Sequence, residues 1–440
     1  MKPTPVLLLL CLAIGSPIRA DEPAPAASLT LAQALDAVLA RYPSLDAAQA
    51  AVDSARGRTV QSEAGRLPQV SAEAAYTYLS MRPYVAFPGP EGASSAFYET
   101  IRNSYDARLN ASQLLSDFGR TDALVALARS GEISAKDALE QARSQLGYQA
   151  IQAYYGVLLL RSSASVADEE IRALDEALRI SEKKFSGGTA TRFDVLTTQV
   201  RLATARNNRT DTQASLEKQE AVVRQLLGYG PGAPLVLAGD FGAPGETPDL
   251  SATIAAGLRN RPEMKLARDS ADTAGTRLDA ADRGNRPTLA ANAAAGVEDG
   301  QLPEMYSNRG YLVAGVSVSV PIFTGKRITG QRIEARADLR AAQSRVNELN
   351  RTIATDVSDA LADLRAALAR LANSDALVAQ ANEALSLAKT RYANGVITNF
   401  ELLDAQSSAR AAELARLQAR YDCAIARHAV SRAAGEPPAP

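Results

Sequence analysis

The chain has 440 residues, a formal net charge of −1 and 46% hydrophobic residues, with aromatics at only 5% and no tryptophan. Lys and Arg are scattered without a basic stripe, which argues against nucleic-acid binding. The Ala-rich, aromatic-poor composition suits long helices packed through small side chains.

Lys2, the apolar run Val6–Ile14 and Ile18-Arg19-Ala20 have the layout of a secretory signal over residues 1–20, with a mature start near Asp21. The run is too short to span a bilayer, and Gly15 and Pro17 follow it. Cleavage would leave Cys423 as the only cysteine, so no disulfide framework is available. Residues 21–27 read as a mobile leader.

Residues 28–64 are helical in pattern, with Leu31, Leu35, Val38 and Leu39 at three- and four-residue spacing. Pro43 interrupts the pattern, and Ser44 is a candidate cap for the helix after it. Val70 to Tyr78 and Tyr105 to Ser112 then alternate with a two-residue period, as half-buried strands do. Met81 to Thr100, rich in Pro, Gly and Ser, reads as a long loop between them. A Pro-free helix is expected from near Gly119 to about Phe185. At about 1.5 Å per residue it would be on the order of 100 Å long. Gly187-Gly188 ends it, and Thr191 caps a return helix running to Gly228.

After a Gly- and Pro-rich connector over 229–249, the pattern recurs in 250–435, leaving a short tail over 436–440. The stretches Glu176–Gly228 and Glu383–Gly435 align without a gap at an offset of 207 residues. Phe185 falls on Tyr392, Gly188 on Gly395, Thr191 on Thr398 and Asp194 on Glu401. Strands are expected over Leu289–Val297 and Leu312–Val320. A second long helix should run from near Lys326 to about Tyr392, with Val346, Leu349, Ile353, Val357, Ala360, Leu364, Ala367 and Leu371 as a coiled-coil seam. A repeat of this length makes the chain two similar halves of one body.

Four strands cannot close a membrane barrel. One protomer would expose raw sheet edges to lipid, which is forbidden. Three protomers would supply twelve strands. The expected fold class is therefore mainly α with a β membrane part: a trimeric 12-stranded β-barrel continuous with a long α-helical barrel.

Several motifs carry a resemblance to a known family. They are Leu29-Thr30-Leu31-Ala32-Gln33-Ala34-Leu35, Arg66-Leu67-Pro68-Gln69-Val70, Gln113-Leu114-Leu115-Ser116-Asp117-Phe118-Gly119-Arg120, Val320-Pro321-Ile322-Phe323-Thr324-Gly325-Lys326, and the turns Phe185-x-x-Gly188 and Tyr392-x-x-Gly395. Together, in this order, they resemble the TolC-like outer membrane efflux proteins. That resemblance implies a homotrimer in the cell outer membrane, extending into the periplasm as a passive duct without cofactors. Its implied partners are outer membrane lipid, a periplasmic adaptor (membrane fusion) protein, and an inner-membrane pump of RND or ABC type. It also places a periplasmic constriction at Glu401 and Asp404, with Asp194 as the first-half counterpart, and adaptor docking at the tips Gly188-Thr189-Ala190-Thr191 and Gly395-Val396-Ile397-Thr398. The local alternative for the acids is helix-end stabilisation. For Val396 and Ile397 it is packing inside the trimer's own tip.

Phe87, Phe97, Tyr98, Tyr105, Tyr306 and Tyr311 flank the strand ends as candidate barrel-rim aromatics. His428, the only histidine, reads as a surface or packing residue, and no catalytic triad, phosphate loop or metal-ligand set is visible. The alternative to the duct is a periplasmic coiled-coil adaptor or structural protein without a membrane barrel.

Overall fold

The structure, a computed structural model, describes residues 28–81, 84–88, 94–98, 102–299 and 309–439. The signal and leader, residues 1–27, lie outside them.

Helices α1 (Leu31–Arg41) and α2 (Pro43–Ala64) open the described chain. Thr30 caps α1 in a reciprocal box with Gln33. Pro43 sits at the first position of α2, where its missing N–H costs nothing. The cap position there is Tyr42 rather than Ser44, and no side chain caps it. Strand β1 (Gln69–Tyr78) pairs with β4 (Asn103–Ser116). The segment between them, expected as loop, holds a second, two-stranded sheet of β2 (Tyr84–Pro88) and β3 (Ser94–Tyr98). The Pro and Gly residues that mark a loop sit around and between two short runs able to pair.

Helix α3 (Arg120–Ser186) and its return helix α4 (Arg192–Leu227) form the first hairpin. Helices α5 (Leu250–Asn260) and α6 (Pro262–Asp282), then β5 (Thr288–Glu298) and β6 (Arg309–Ser319), precede the second. That hairpin is α7 (Arg327–Ala393) and α8 (Asn399–Ala433). Helices α3 and α7 are each 67 residues long, with both ends offset by 207 residues. No helix among the described residues is long and apolar enough to cross a membrane.

The antiparallel sheet runs β1-β4-β5-β6. Its register aligns the alternation of all four strands. One row reads Ala72, Leu109, Ala295, Leu312, and the next on the same face Val70, Ala111, Ala293, Ala314. Glu73 and Arg108 pair at 2.7 Å on the opposite face. Leu109, Leu312, Val316 and Val318 are all exposed. A single chain thus carries an uncovered apolar sheet face.

The strand-to-helix corner at Asp117 holds the sheet to α3. The Asp117 carboxylate accepts from the backbone N–H of Gly119, Arg120 and Thr121. Burial alone would raise its pKa, but these bonds and the Thr121 hydroxyl together hold it below the ordinary carboxylate value. Phe118 and Gly119 adopt left-handed backbone at φ 54° and 87°. Arg286 and Arg283, beyond α6, donate to their carbonyls at 2.6 and 2.8 Å.

The first core gathers Leu35, Val38, Ile151, Val157 and Leu227 with Leu235, Leu237 and Phe241 of the connector. The connector also bridges Leu237 to Leu29. The second core is the seam of α7, where Ile353, Val357, Leu361 and Leu364 are at most 1% exposed. Leu361 rather than Ala360 is its most buried member at that turn; Ala360 packs at the edge.

His428 belongs to the packing, its ring tilted against that of Tyr155 with centres 5.7 Å apart. Burial, with some help from Arg427, pushes its pKa down from 6.5 to about 4. The unfolded chain therefore binds a proton that the folded chain refuses. Stability contributed by neutral His428 is present above pH 6.5 and is lost as pH falls towards 4. The expected loss is up to about 3 kcal/mol. Thermal scans between pH 7 and pH 4 should show His428→Phe losing less stability than the unchanged protein; an equal loss would refute this assignment.

Candidate functional site

The two hairpin tips lie side by side, and their sequence dictates their shape. Gly188 and Gly395 follow the ends of α3 and α7 with left-handed φ of 74° and 72°. That conformation turns the Thr189 N–H back to Lys184 O at 2.8 Å, and the Val396 N–H to Arg391 O at 2.9 Å. A side chain at either glycine would strain the turn.

Thr191 and Thr398 then start the return helices, each in a reciprocal capping box. Asp194 accepts from the Thr191 N–H and hydroxyl at 2.9 and 2.7 Å. Glu401 accepts from the Thr398 N–H and hydroxyl at 2.7 and 2.8 Å. Those two bonds, the backbone one first, hold the Glu401 carboxyl below the usual carboxylate range. Glu401 and Asp194 therefore have a helix-capping role. Asp404, one turn further along α8, stands exposed without such a role.

Gly188, Thr189, Thr191, Gly395 and Thr398 are exposed at the tips, and Ala190 and Ile397 are half-buried. Val396 is 70% exposed in the single chain. Phe193 and Phe400, just inside the return helices, are also exposed.

Direct ties join the two tips. The Lys184 ammonium donates to Tyr392 O at 2.9 Å and lies 3.7 Å from the centre of the Tyr392 ring. Asn399, 4% exposed, donates to Asp194 O at 3.2 Å and to Thr198 Oγ1 at 2.9 Å. Leu403 of α8 closes a small core with Leu174, Ala177, Leu202 and Ala205 of the first hairpin. Sequence reasoning missed Asn399. The available signal was its repeat partner, Arg192: a small amide facing a long cation marks a position where the halves differ.

The candidate rim aromatics disperse. Tyr105 lies on the apolar face with its ring 5.2 Å from that of Tyr76. Tyr311 lies on the other face, paired with Gly296 in register and donating its hydroxyl to Asp106 at 3.4 Å. It is therefore withdrawn from an outward-facing girdle, because the apolar residues of β6 are its even-numbered neighbours. Phe87 is on β2, and Phe97 and Tyr98 are on β3, outside the four-stranded sheet. Tyr306 lies outside the described residues.

Replacing Asn399 by Ala leaves the ties to Thr198 and Asp194 unmade, at an expected cost of about 1–3 kcal/mol. Hydrogen exchange in the first turns of α4 and α8 should accelerate accordingly, while the seam of α7 keeps its protection. Unchanged exchange at the tips would show that Asn399 does not hold them.

The profile of the family described as outer membrane efflux protein matches residues 34–229 and 254–436. Among curated relatives, the outer membrane efflux protein BepC of Brucella suis is 26% identical over 74% of this chain and 71% of its own length. The outer membrane protein TolC of Escherichia coli is 23% identical over 87% of this chain and 77% of its own. The crystal structure of the outer membrane protein VceC from Vibrio cholerae superposes with a TM-score of 0.77 at 21% identity, covering 92% of this chain and 95% of that one. A helical body of two long hairpins carrying a four-stranded sheet is thus shared with a solved outer membrane protein, and the sequence match spans both halves: the chain belongs to the outer membrane efflux protein family.

Proposed function

We propose that this chain is the outer membrane component of a tripartite efflux or secretion system, a passive duct from the periplasm to the cell exterior. The observation that carries the reading is the sheet. Its apolar face is continuous across four strands and uncovered, and its two outer strands have open edges, among the described residues. In lipid such edges must be paired. Three copies meeting edge to edge make a closed, even-stranded barrel, and the long hairpins extend its wall into the periplasm. The repeated halves supply each protomer with two hairpins, so a trimer would present six tips. The duct performs no chemistry of its own. Cargo would be delivered by an inner-membrane pump, RND or ABC type, through a periplasmic adaptor.

The exposed tip residues, Val396 foremost, are the proposed adaptor contacts. An exposed apolar side chain at a tip is readily covered by a partner. Asp404 and Glu401 are the proposed constriction. Repeated three times around an axis, they make a ring of carboxylates of the kind that draws cations into a pore. Glu401 contributes its charge down to lower pH than an ordinary carboxylate because its bonds to Thr398 favour the ionised form.

Detergent-corrected light scattering on protein from outer membranes should give the mass of three chains; a monomer that never partitions to the membrane would refute the duct. In planar bilayers, Asp404→Ala should raise conductance and weaken cation preference. The unchanged protein should retain that preference as pH is lowered to about 5, since Glu401, held below the usual carboxylate range, stays ionised there. Equal conductance and selectivity in Asp404→Ala would remove Asp404 from the constriction.

A further inference from the structure

Above the tips, α3 and α4 of one hairpin and α7 and α8 of the other enclose a cleft of about 820 Å³. All of its walls come from one chain. Its apolar lining includes Leu174, Val200, Val378, Leu385 and Leu403, drawn from all four helices. The rest is charged, with four cations, Arg201, Lys389, Arg410 and Arg416, against three carboxylates, Glu169, Glu170 and Glu413. The balance is positive. Apolar and polar groups line it in comparable measure, and its size is in the range that drug-sized ligands occupy.

The polar groups in the cleft are poorly satisfied. Among the described residues, eight buried side-chain polar atoms have no hydrogen-bond partner, and four of them line this cleft: Glu170 Oε2, Gln406 Oε1, Arg410 Nε and Arg416 Nε. Glu170 Oε2 and Arg410 Nε form an ion pair at 2.8 Å, so Gln406 Oε1 and Arg416 Nε are the two of the four without a polar partner. Arg416 spends its terminal nitrogen on Glu413, which leaves its Nε–H unmet. Buried polar atoms are ordinarily paired, so a concentration of unpaired ones marks a place where a partner belongs. The unmet Arg416 Nε–H is a donor on a guanidinium group. The group that meets it best is an anion with planar oxygen acceptors.

We propose that the cleft between the hairpins is a binding site for an amphiphilic carboxylate. Its carboxylate faces the guanidinium groups of Arg410 and Arg416, with Arg201 and Lys389 adding positive charge. Its apolar body lies against Leu174, Val200 and Leu403. Such a guest touches both hairpins at once. This site is separate from the duct, and binding is measured without transport, so either reading can fail alone.

The probe is 1-pyrenebutyrate, followed by fluorescence anisotropy on the full chain in lipid nanodiscs, with empty nanodiscs subtracted. Saturable binding at one site per chain is expected. It should be about tenfold tighter than for the neutral 1-pyrenebutanol, the scale of a hydrogen bond to a charged group. Arg201→Gln with Lys389→Gln should weaken it severalfold. Ala173→Phe, which fills the cleft without touching a charge, should abolish it, and Arg391→Gln, outside the cleft, should leave it unchanged. Circular dichroism on every variant confirms that the helices are retained. Equal binding of the alcohol, tighter binding of 1-pyrenebutylamine, or binding indifferent to the cleft variants would overturn the proposal, the last by showing partition into lipid alone.

Discussion

The four-stranded sheet ends at β1 on one side and β6 on the other, and within one chain neither edge is paired among the described residues. Backbone N–H and C=O groups at such an edge need partners, and in hydrocarbon they need them absolutely. The apolar face adds a second requirement. Rows such as Ala72, Leu109, Ala295 and Leu312 cross the sheet with no layer packed on them. A helix or a second sheet would normally cover them. Both requirements fall on the same element, so the sheet demands a surrounding that the chain does not itself supply. That demand explains why the rest is built as it is: helices long enough to project far beyond the sheet, and corners stiff enough to keep them aligned with it.

The corner at Asp117 shows how that stiffness is made. One carboxylate satisfies three N–H groups at the start of α3, where helix ends leave donors without partners. The turn forces Phe118, not a glycine, into left-handed backbone, and Arg283 and Arg286 hold the carbonyls it exposes. The second half makes the same corner differently. There Gly325 and Lys326 carry the left-handed backbone, and Thr324 stands where the first half has its Asp. Two halves that share a pattern have thus solved one geometric problem with different side chains.

The same divergence shapes the tips. Threonine caps and left-handed glycines occur in both hairpins, so the local turn is duplicated. The ties between the hairpins are not. Asn399 is buried among first-hairpin residues, whereas its counterpart, Arg192, is exposed. Lys184 reaches over Tyr392. Further up, the contact between hairpins gives way to a cleft lined with charges, and burial raises the pKa of Glu170 within it. The join between the hairpins is therefore firm at the tip and loose above it.

Much of the architecture is legible in the sequence because it rests on local chemistry. Pro-free periodicity predicts both long helices to within a residue or two, since propensity and spacing act over a few turns. Gly188, Gly395, Thr191 and Thr398 announce their turns, because only certain residues adopt or cap such backbone. Alternation identifies the four principal strands. It fails for β2 and β3, whose short runs are hidden among Pro and Gly. The tertiary structure alone decided the rest. The burial of Asn399 against Thr198, the packing of neutral His428 against Tyr155 and the meeting of Glu170 with Arg410 in the cleft each join residues on different helices. Side chains brought together from distant positions leave no periodic trace, so packing reveals them where spacing cannot.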